Sequence, residues 1–126
     1  MNGVETHEIH LRRGWEWAAS EGPETGPVRM TLPTRWDPAV AGLLRLTRRF
    51  QRPPRIPDSQ VILRIGEAPG IRSIRINGQP LGPISPDLPG HEILLGNLAP
   101  RNELVLEIDP PRDGSDWGFI SLLFLP

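Results

Sequence analysis

The chain has 126 residues, of which 37% are hydrophobic, with a formal net charge of -1 and no cysteine. That length supports one domain with a modest core rather than a large enzyme with an insulated active site. The balanced charge supplies no overall field toward nucleic acid or an anionic membrane, and the missing cysteines exclude disulfides and thiolate chemistry.

All 14 basic residues are Arg, and nothing gathers them into one block. The opening MNGVETHEIHLRRG has neither the apolar stretch nor the small-residue cleavage site of a signal peptide. No apolar run approaches membrane-spanning length, so the expectation is a cytoplasmic protein with no membrane partner. The 13 Gly and 16 Pro fall between short apolar runs, which is the punctuation of an all-β domain rather than of disorder.

Eight strands are predicted in chain order. His7 to Arg13 places Ile9 and Leu11 on one face, and Trp15 and Trp17 continue that phase. Val28 to Leu32 turns Val28, Met30 and Leu32 inward. Asp37 to Leu44 can form one helical turn at most, with Asp37 as cap and Pro38 at the first position. Leu43 to Gln51 turns Leu44, Leu46 and Phe50 inward, and Arg48 shares their face. A guanidinium there requires a register-shifting bulge or an acidic partner from a neighbouring strand. Ser59 to Gly66 buries Val61, Leu63 and Ile65. Ile71 to Asn77 follows a Glu-Ala-Pro-Gly turn and runs into Asn77-Gly78, whose positive φ angles suit a tight hairpin. The chain then returns through Gln79-Pro80-Leu81-Gly82. His91 to Leu95 is short, and Glu103 to Asp109 offers Leu104, Leu106 and Ile108. Trp117 to Leu125 is apolar on both faces, so it is a central strand covered within the monomer or the seat of a second subunit. Together these predict a single all-β domain over residues 1–126, an antiparallel β-sandwich such as a jelly roll, with about eight strands.

Several segments carry a resemblance. Leu46-Thr47-Arg48-Arg49-Phe50-Gln51-Arg52-Pro53 is a basic strand with a Phe and a nearby Pro. Val61-Ile62-Leu63-Arg64-Ile65, then Ile74-Arg75-Ile76-Asn77-Gly78 and Leu81-Gly82, is a strand, a turn, and a strand ending in Asn-Gly. Leu98 to Ile108 looks like a stretch "L-x-x-G-x-N-x-L-x-V-x-V", and Trp117-Gly118-Phe119-Ile120 approaches the last strand. In this order, over Trp36 to Leu125, they resemble the N-terminal sugar-binding domain of glycoside hydrolase family 2, the β-galactosidase and β-glucuronidase family. The resemblance implies a galactose-binding-domain-like jelly roll. It departs at Arg101, where the family has Gly, and near Leu46, where an aromatic is missing. The family's catalytic carboxylates lie in a barrel beyond this domain, so none maps onto this sequence.

The resemblance turns attention to residues that could hold a saccharide. Trp36 follows a Pro-Thr-Arg loop, and Trp117 follows the polar Asp113-Gly-Ser-Asp116 loop. An aromatic at such a strand end can stack on a pyranose face. Trp36, Trp117, Arg35 and Asp116 are therefore the candidate carbohydrate-binding residues, against the ordinary fate of Trp as a core plug. Asp109, Asp113 and Asp116 share one connection and are candidate calcium ligands, although the spacing matches no complete loop motif; no other cofactor is expected. His7 and His10, three apart on a strand, fall on opposite faces and suit no metal. The outward Arg29, Arg45, Arg64 and Arg75, interleaved with Glu92, Glu103 and Glu107, are expected to form ordinary cross-strand pairs. No nucleophile with an adjacent base, no phosphate-cradling glycine loop and no nucleic-acid groove is legible. The expected function is a non-catalytic carbohydrate-binding module. A protein-interaction or oligomerisation module, partnered with itself or another protein, is the alternative.

Overall fold

The computed structural model describes residues 7–20, 27–40, 42–52, 60–96 and 98–125. Among the described residues are ten strands in chain order: β1 (His7–His10), β2 (Trp15–Ala19), β3 (Val28–Met30), β4 (Leu44–Gln51), β5 (Gln60–Gly66), β6 (Ile71–Ile76), β7 (Gln79–Leu81), β8 (His91–Gly96), β9 (Arg101–Ile108) and β10 (Phe119–Leu125). They form two sheets. One has four strands in the order β1-β10-β5-β8, the other six in the order β3-β2-β4-β9-β6-β7. Every pairing within them is antiparallel. The fold is thus the predicted all-β sandwich, with ten strands in place of eight.

Both extra strands have a physical reason. The first predicted strand is two strands in different sheets. The chain crosses between them at Leu11–Gly14, where Gly14 takes a φ of 85°. The indole Nε1 of Trp15 donates to the carbonyl of Leu11 at 2.8 Å and pins the corner. Ile9, Leu11, Trp15 and Trp17 keep one parity through the corner because the inner faces of both sheets meet the same core. The other addition, β7, pairs with β6 beyond Asn77-Gly78. Pro80 lacks a donor, which is tolerated because β7 is an edge.

Alternation builds the core. Val61, Leu63 and Ile65 from β5 and Ile120, Leu122 and Phe124 from β10 face Trp15, Leu44, Leu46, Ile74, Leu104, Leu106 and Ile108 from the other sheet, all at most 3% exposed. Each such side chain contributes roughly 1.5–3 kcal/mol by leaving water. The predicted inward face of the third strand is only partly so. Leu32 is buried, but Val28 is 46% exposed because β3 is an edge strand.

Segment 37–40 makes one turn. The Asp37 carboxylate accepts from the Ala39 N–H at 2.9 Å, and the Asp37 carbonyl accepts from Val40. Ser59 and Pro53, included in the predicted segments, lie outside the described residues.

Arg48 meets neither expectation placed on it. The β4 register runs unbroken against both β2 and β9, and no carboxylate pairs with Arg48 among the described residues. The guanidinium instead lies over Gly14, where a Cβ would come within 3.0 Å of its Nε, and donates to the Arg49 carbonyl. Its Nε is buried without a partner, and burial lowers its pKa.

Two asparagines tie the ends of the six-stranded sheet. Asn77 sits at φ 52°, and its carboxamide accepts from the Glu103 N–H at 2.8 Å while donating to Asn102 Oδ1 at 3.0 Å. Asn102 is 4% exposed. Its Oδ1 also accepts from Ala99 N, and its Nδ2 donates to the Ala99 carbonyl at 2.9 Å. The Asn-Gly turn and the Asn of the Leu98–Ile108 segment therefore hold each other.

Candidate functional site

The four residues singled out for carbohydrate do converge. Thr34 and Trp117 form an isolated antiparallel bridge, with reciprocal backbone hydrogen bonds of 2.9 and 2.7 Å. This sets Arg35 beside Asp116, Nε to Oδ1 at 2.9 Å, and Trp36 beside Trp117. The rings face inward, however. Trp117 is 0% exposed and donates its Nε1 to the Pro69 carbonyl at 2.9 Å; Trp36 is 5% exposed. Trp36 stands edge-on between Trp117 and the half-buried Trp17, with ring centroids 5.9 and 6.1 Å away. Neither indole presents a face on which a pyranose could stack, which corrects the expectation for both. They plug the end of the sandwich, as large aromatics usually do. The Arg35–Asp116 pair stays in solvent, where such a pair contributes little.

The three aspartates proposed for calcium are each engaged elsewhere. Asp109 lies 3.6 Å from Arg72, Asp116 pairs with Arg35, and Asp113 accepts from both the hydroxyl and the N–H of Ser115. The Ser115 hydroxyl and its N–H hold the Asp113 carboxyl below its usual range. No group of three or more His, Asp or Glu side chains is gathered among the described residues. The interleaved arginines do not make one stripe either. Arg64 lies in the four-stranded sheet, and Arg29, Arg45 and Arg75 in the six-stranded one.

The structure brings together a different group on the outer face of the four-stranded sheet. Alternation turns Phe119, Ser121, Leu123 and Leu125 of β10 away from the core. The register sets His10 and Arg64 on either side of Ser121, with Glu92 beyond Arg64. Glu8, on the same face as His10, is the hub. Its Oε2 accepts from the Ser121 hydroxyl at 2.7 Å and from Arg64 Nη1 at 3.4 Å, and its Oε1 lies 3.8 Å from His10 Nε2. Arg64 Nε donates to Glu92 at 3.2 Å. The Ser121 hydroxyl holds the Glu8 carboxyl below its usual range; burial opposes it, and the nearby His10 and Arg64 lower it further by smaller amounts.

Glu8, His10, Arg64 and Ser121 form one wall of a cleft of about 190 Å³, whose other lining includes Arg12, Leu32, Pro33, Gly66, Gly118 and Phe119. Phe119 is 46% exposed, and Gly66, opposite it in the register, has no side chain to fill the space. Two larger hollows are more open. The one of about 480 Å³ at the Asn77–Asn102 end is lined by those two carboxamides, already paired to each other and to backbone, together with Arg49, Phe50, Gln51, Arg101 and Glu103. The cleft therefore combines a half-exposed aromatic with oriented polar groups. The sequence reading missed it. The available signals were Ser121 interrupting an apolar strand and the shared parity of Glu8 and His10.

On the same outer face, Leu94 of β8, Ile62 of β5 and Leu123 of β10 lie in one row. Leu94 is 59% exposed. Among the described residues, no helix is long and apolar enough to cross a membrane.

No protein-family model matches the chain, and no curated protein matches it in sequence. Solved structures do match its fold. A β-glucuronidase from Ruminococcus gnavus, in complex with a C6-substituted uronic isofagomine, aligns with a TM-score of 0.75 at 13% identity, over 100% of this chain and 30% of its own. A β-glucuronidase from an uncultured Clostridium sp. aligns with a TM-score of 0.76 at 15% identity, over 100% of this chain and 30% of its own. The chain thus has the fold of a β-sandwich found within these glucuronidases and spans less than a third of their length.

Proposed function

We propose that this chain is a non-catalytic, carbohydrate-binding β-sandwich of the kind family 2 glycosidases carry beside their catalytic barrel. The observation that carries the reading is the likeness of the whole chain to a 30% portion of glucuronidase chains. The ordered segments from Leu46 to Ile120 that resemble the family's sugar-binding domain support it. Fold alone does not fix function, so the reading needs a direct test. A glycan array probed with the purified chain is expected to show selective saccharide binding. Parallel assays on chromogenic glycosides are expected to show no hydrolysis. An array with no bound glycan overturns the binding role, and turnover of any glycoside overturns the non-catalytic one.

A second reading rests on the row Leu94–Ile62–Leu123. In it the outer face of the four-stranded sheet docks a second copy of the chain, hiding these apolar side chains. Light scattering at high concentration would then give a dimer that Leu123→Arg dissociates. A monomer throughout overturns it.

A further inference from the structure

A pyranose offers two features at once. Neighbouring hydroxyls both donate and accept, and one ring face carries C–H groups that pack on an aromatic. A site for it needs a carboxylate oxygen with free lone pairs, a cation with free N–H groups, an apolar platform, and side chains already held in place.

The cleft beside Phe119 meets each need. Glu8 Oε2 is engaged, but Oε1 has only His10 at 3.8 Å, beyond hydrogen-bond length, and keeps its lone pairs. Arg64 spends Nε on Glu92 and Nη1 on Glu8, and its Nη2 makes no hydrogen bond among the described residues. The Ser121 hydroxyl, 4% exposed in the middle of an apolar strand, fixes the Glu8 carboxylate from below. Phe119 is half exposed, with the bare backbone of Gly66 opposite.

We infer that this cleft is a saccharide subsite for one pyranose ring, its adjacent hydroxyls held by Glu8 and Arg64 and its apolar face on Phe119. The inference rests on the carbohydrate-binding reading and gives it a place and a ligand class. The size argues for a single ring, because about 190 Å³ is below the roughly 300 Å³ at which pockets for drug-sized molecules begin. The lining carries both signs of charge. Arg64 is matched by Glu8 and Glu92 but keeps Nη2, and Arg12 has no carboxylate partner among the described residues, so a uronate is accommodated as well as a neutral sugar. Ser121 acts as a positioning residue that orients Glu8.

The test is an NMR titration of the ¹⁵N-labelled chain with the methyl pyranosides of glucose, galactose and mannose, and with glucuronate and inorganic phosphate. At least one of the pyranosides or glucuronate is expected to give saturable shifts confined to the amides of residues 8–12, 64–66 and 118–121. Glu8→Gln and Phe119→Ala are each expected to weaken that binding about tenfold or more, given what a hydrogen bond to a charged group or an aromatic platform contributes. Both positions are on the outer face, and an undisturbed amide spectrum of each variant shows that it is folded. Arg101→Ala, in the separate hollow, is expected to leave binding unchanged. Shifts elsewhere, or shifts that survive both variants, overturn this subsite and leave the carbohydrate reading standing. Binding of phosphate alone overturns the saccharide ligand class. No shift with any pyranoside or with glucuronate, together with an empty glycan array, overturns both.

Discussion

The Asn77–Asn102 lock gives the most quantitative prediction. Asn102→Ala removes three hydrogen bonds: Asn77 Nδ2 at 3.0 Å, Ala99 N at 3.2 Å and the Ala99 carbonyl at 2.9 Å. Each net bond contributes about 1 kcal/mol, and any partner left buried and unpaired adds its desolvation cost. At 4% exposure, water reaches this carboxamide poorly, so the sum is about 3 kcal/mol. That is a large part of the 5–15 kcal/mol that typically holds a domain together. For a chain of this size it lowers the melting temperature by roughly 10–15 °C. Asn77→Gly keeps the backbone angle and loses only side-chain bonds, whereas Asn77→Ala also strains a φ of 52° and is expected to cost about 1 kcal/mol more. Thermal and urea unfolding of the single and double variants would give a coupling energy of about 1 kcal/mol between the two asparagines. An Asn102→Ala loss below about 1 kcal/mol, or strict additivity with Asn77→Gly, would refute the lock.

Gly70→Ala is expected to destabilise by roughly 3 kcal/mol or more, measured by urea unfolding, because φ is 91° and a Cβ would land on the carbonyl of Asp109. Arg48→Met should be neutral or stabilising by about 1 kcal/mol, since it removes a partly buried cation with no carboxylate partner among the described residues; a loss above that would reveal an unseen partner. Leu122→Arg should abolish folding in circular dichroism, because Leu122 is 2% exposed, while Leu123→Arg one residue on should leave the melt within about 1 kcal/mol. The lowered pKa of Glu8 means that it stabilises the folded state above the ordinary glutamate value, about 4.3, and that this support is lost as pH falls through its lowered value. Glu8→Gln should therefore flatten the acid side of the stability profile, and an unchanged profile would count against the Ser121–Glu8 bond.

The strands that the sequence made legible are those with clean alternation between a buried and an exposed face, such as Gln60–Gly66 and Arg101–Ile108. The sheet change at Gly14 was not legible, because parity is preserved when a chain turns from one inner face to the other. The burial of Trp36 and Trp117 depends on the Thr34–Trp117 bridge, a contact between distant segments that no local pattern encodes. Choosing the outer face of the last strand from sequence was equally undetermined, since Leu122 and Leu123 are chemically identical and only the pairing assigns them. The cleft was hidden for the same reason. Its polar members come from β1, β5 and β10, and only the ladder order lays them side by side.

The place of β10 has a consequence for how the molecule is made. It is the last strand in chain order, yet it lies between β1 and β5 and is the sole link between them in their sheet. Until Phe119–Leu125 has emerged from the ribosome, β1 therefore has no neighbour to pair with among the described strands. The six-stranded sheet can assemble earlier, leaving one side of its core partly uncovered until β10 emerges. At 5–20 residues per second that interval lasts on the order of seconds, during which half-built apolar surface is open to other chains. Loss of even a few residues at Phe119–Leu125 removes a sheet rather than a tail, so premature termination here yields material for proteolysis instead of a shortened domain.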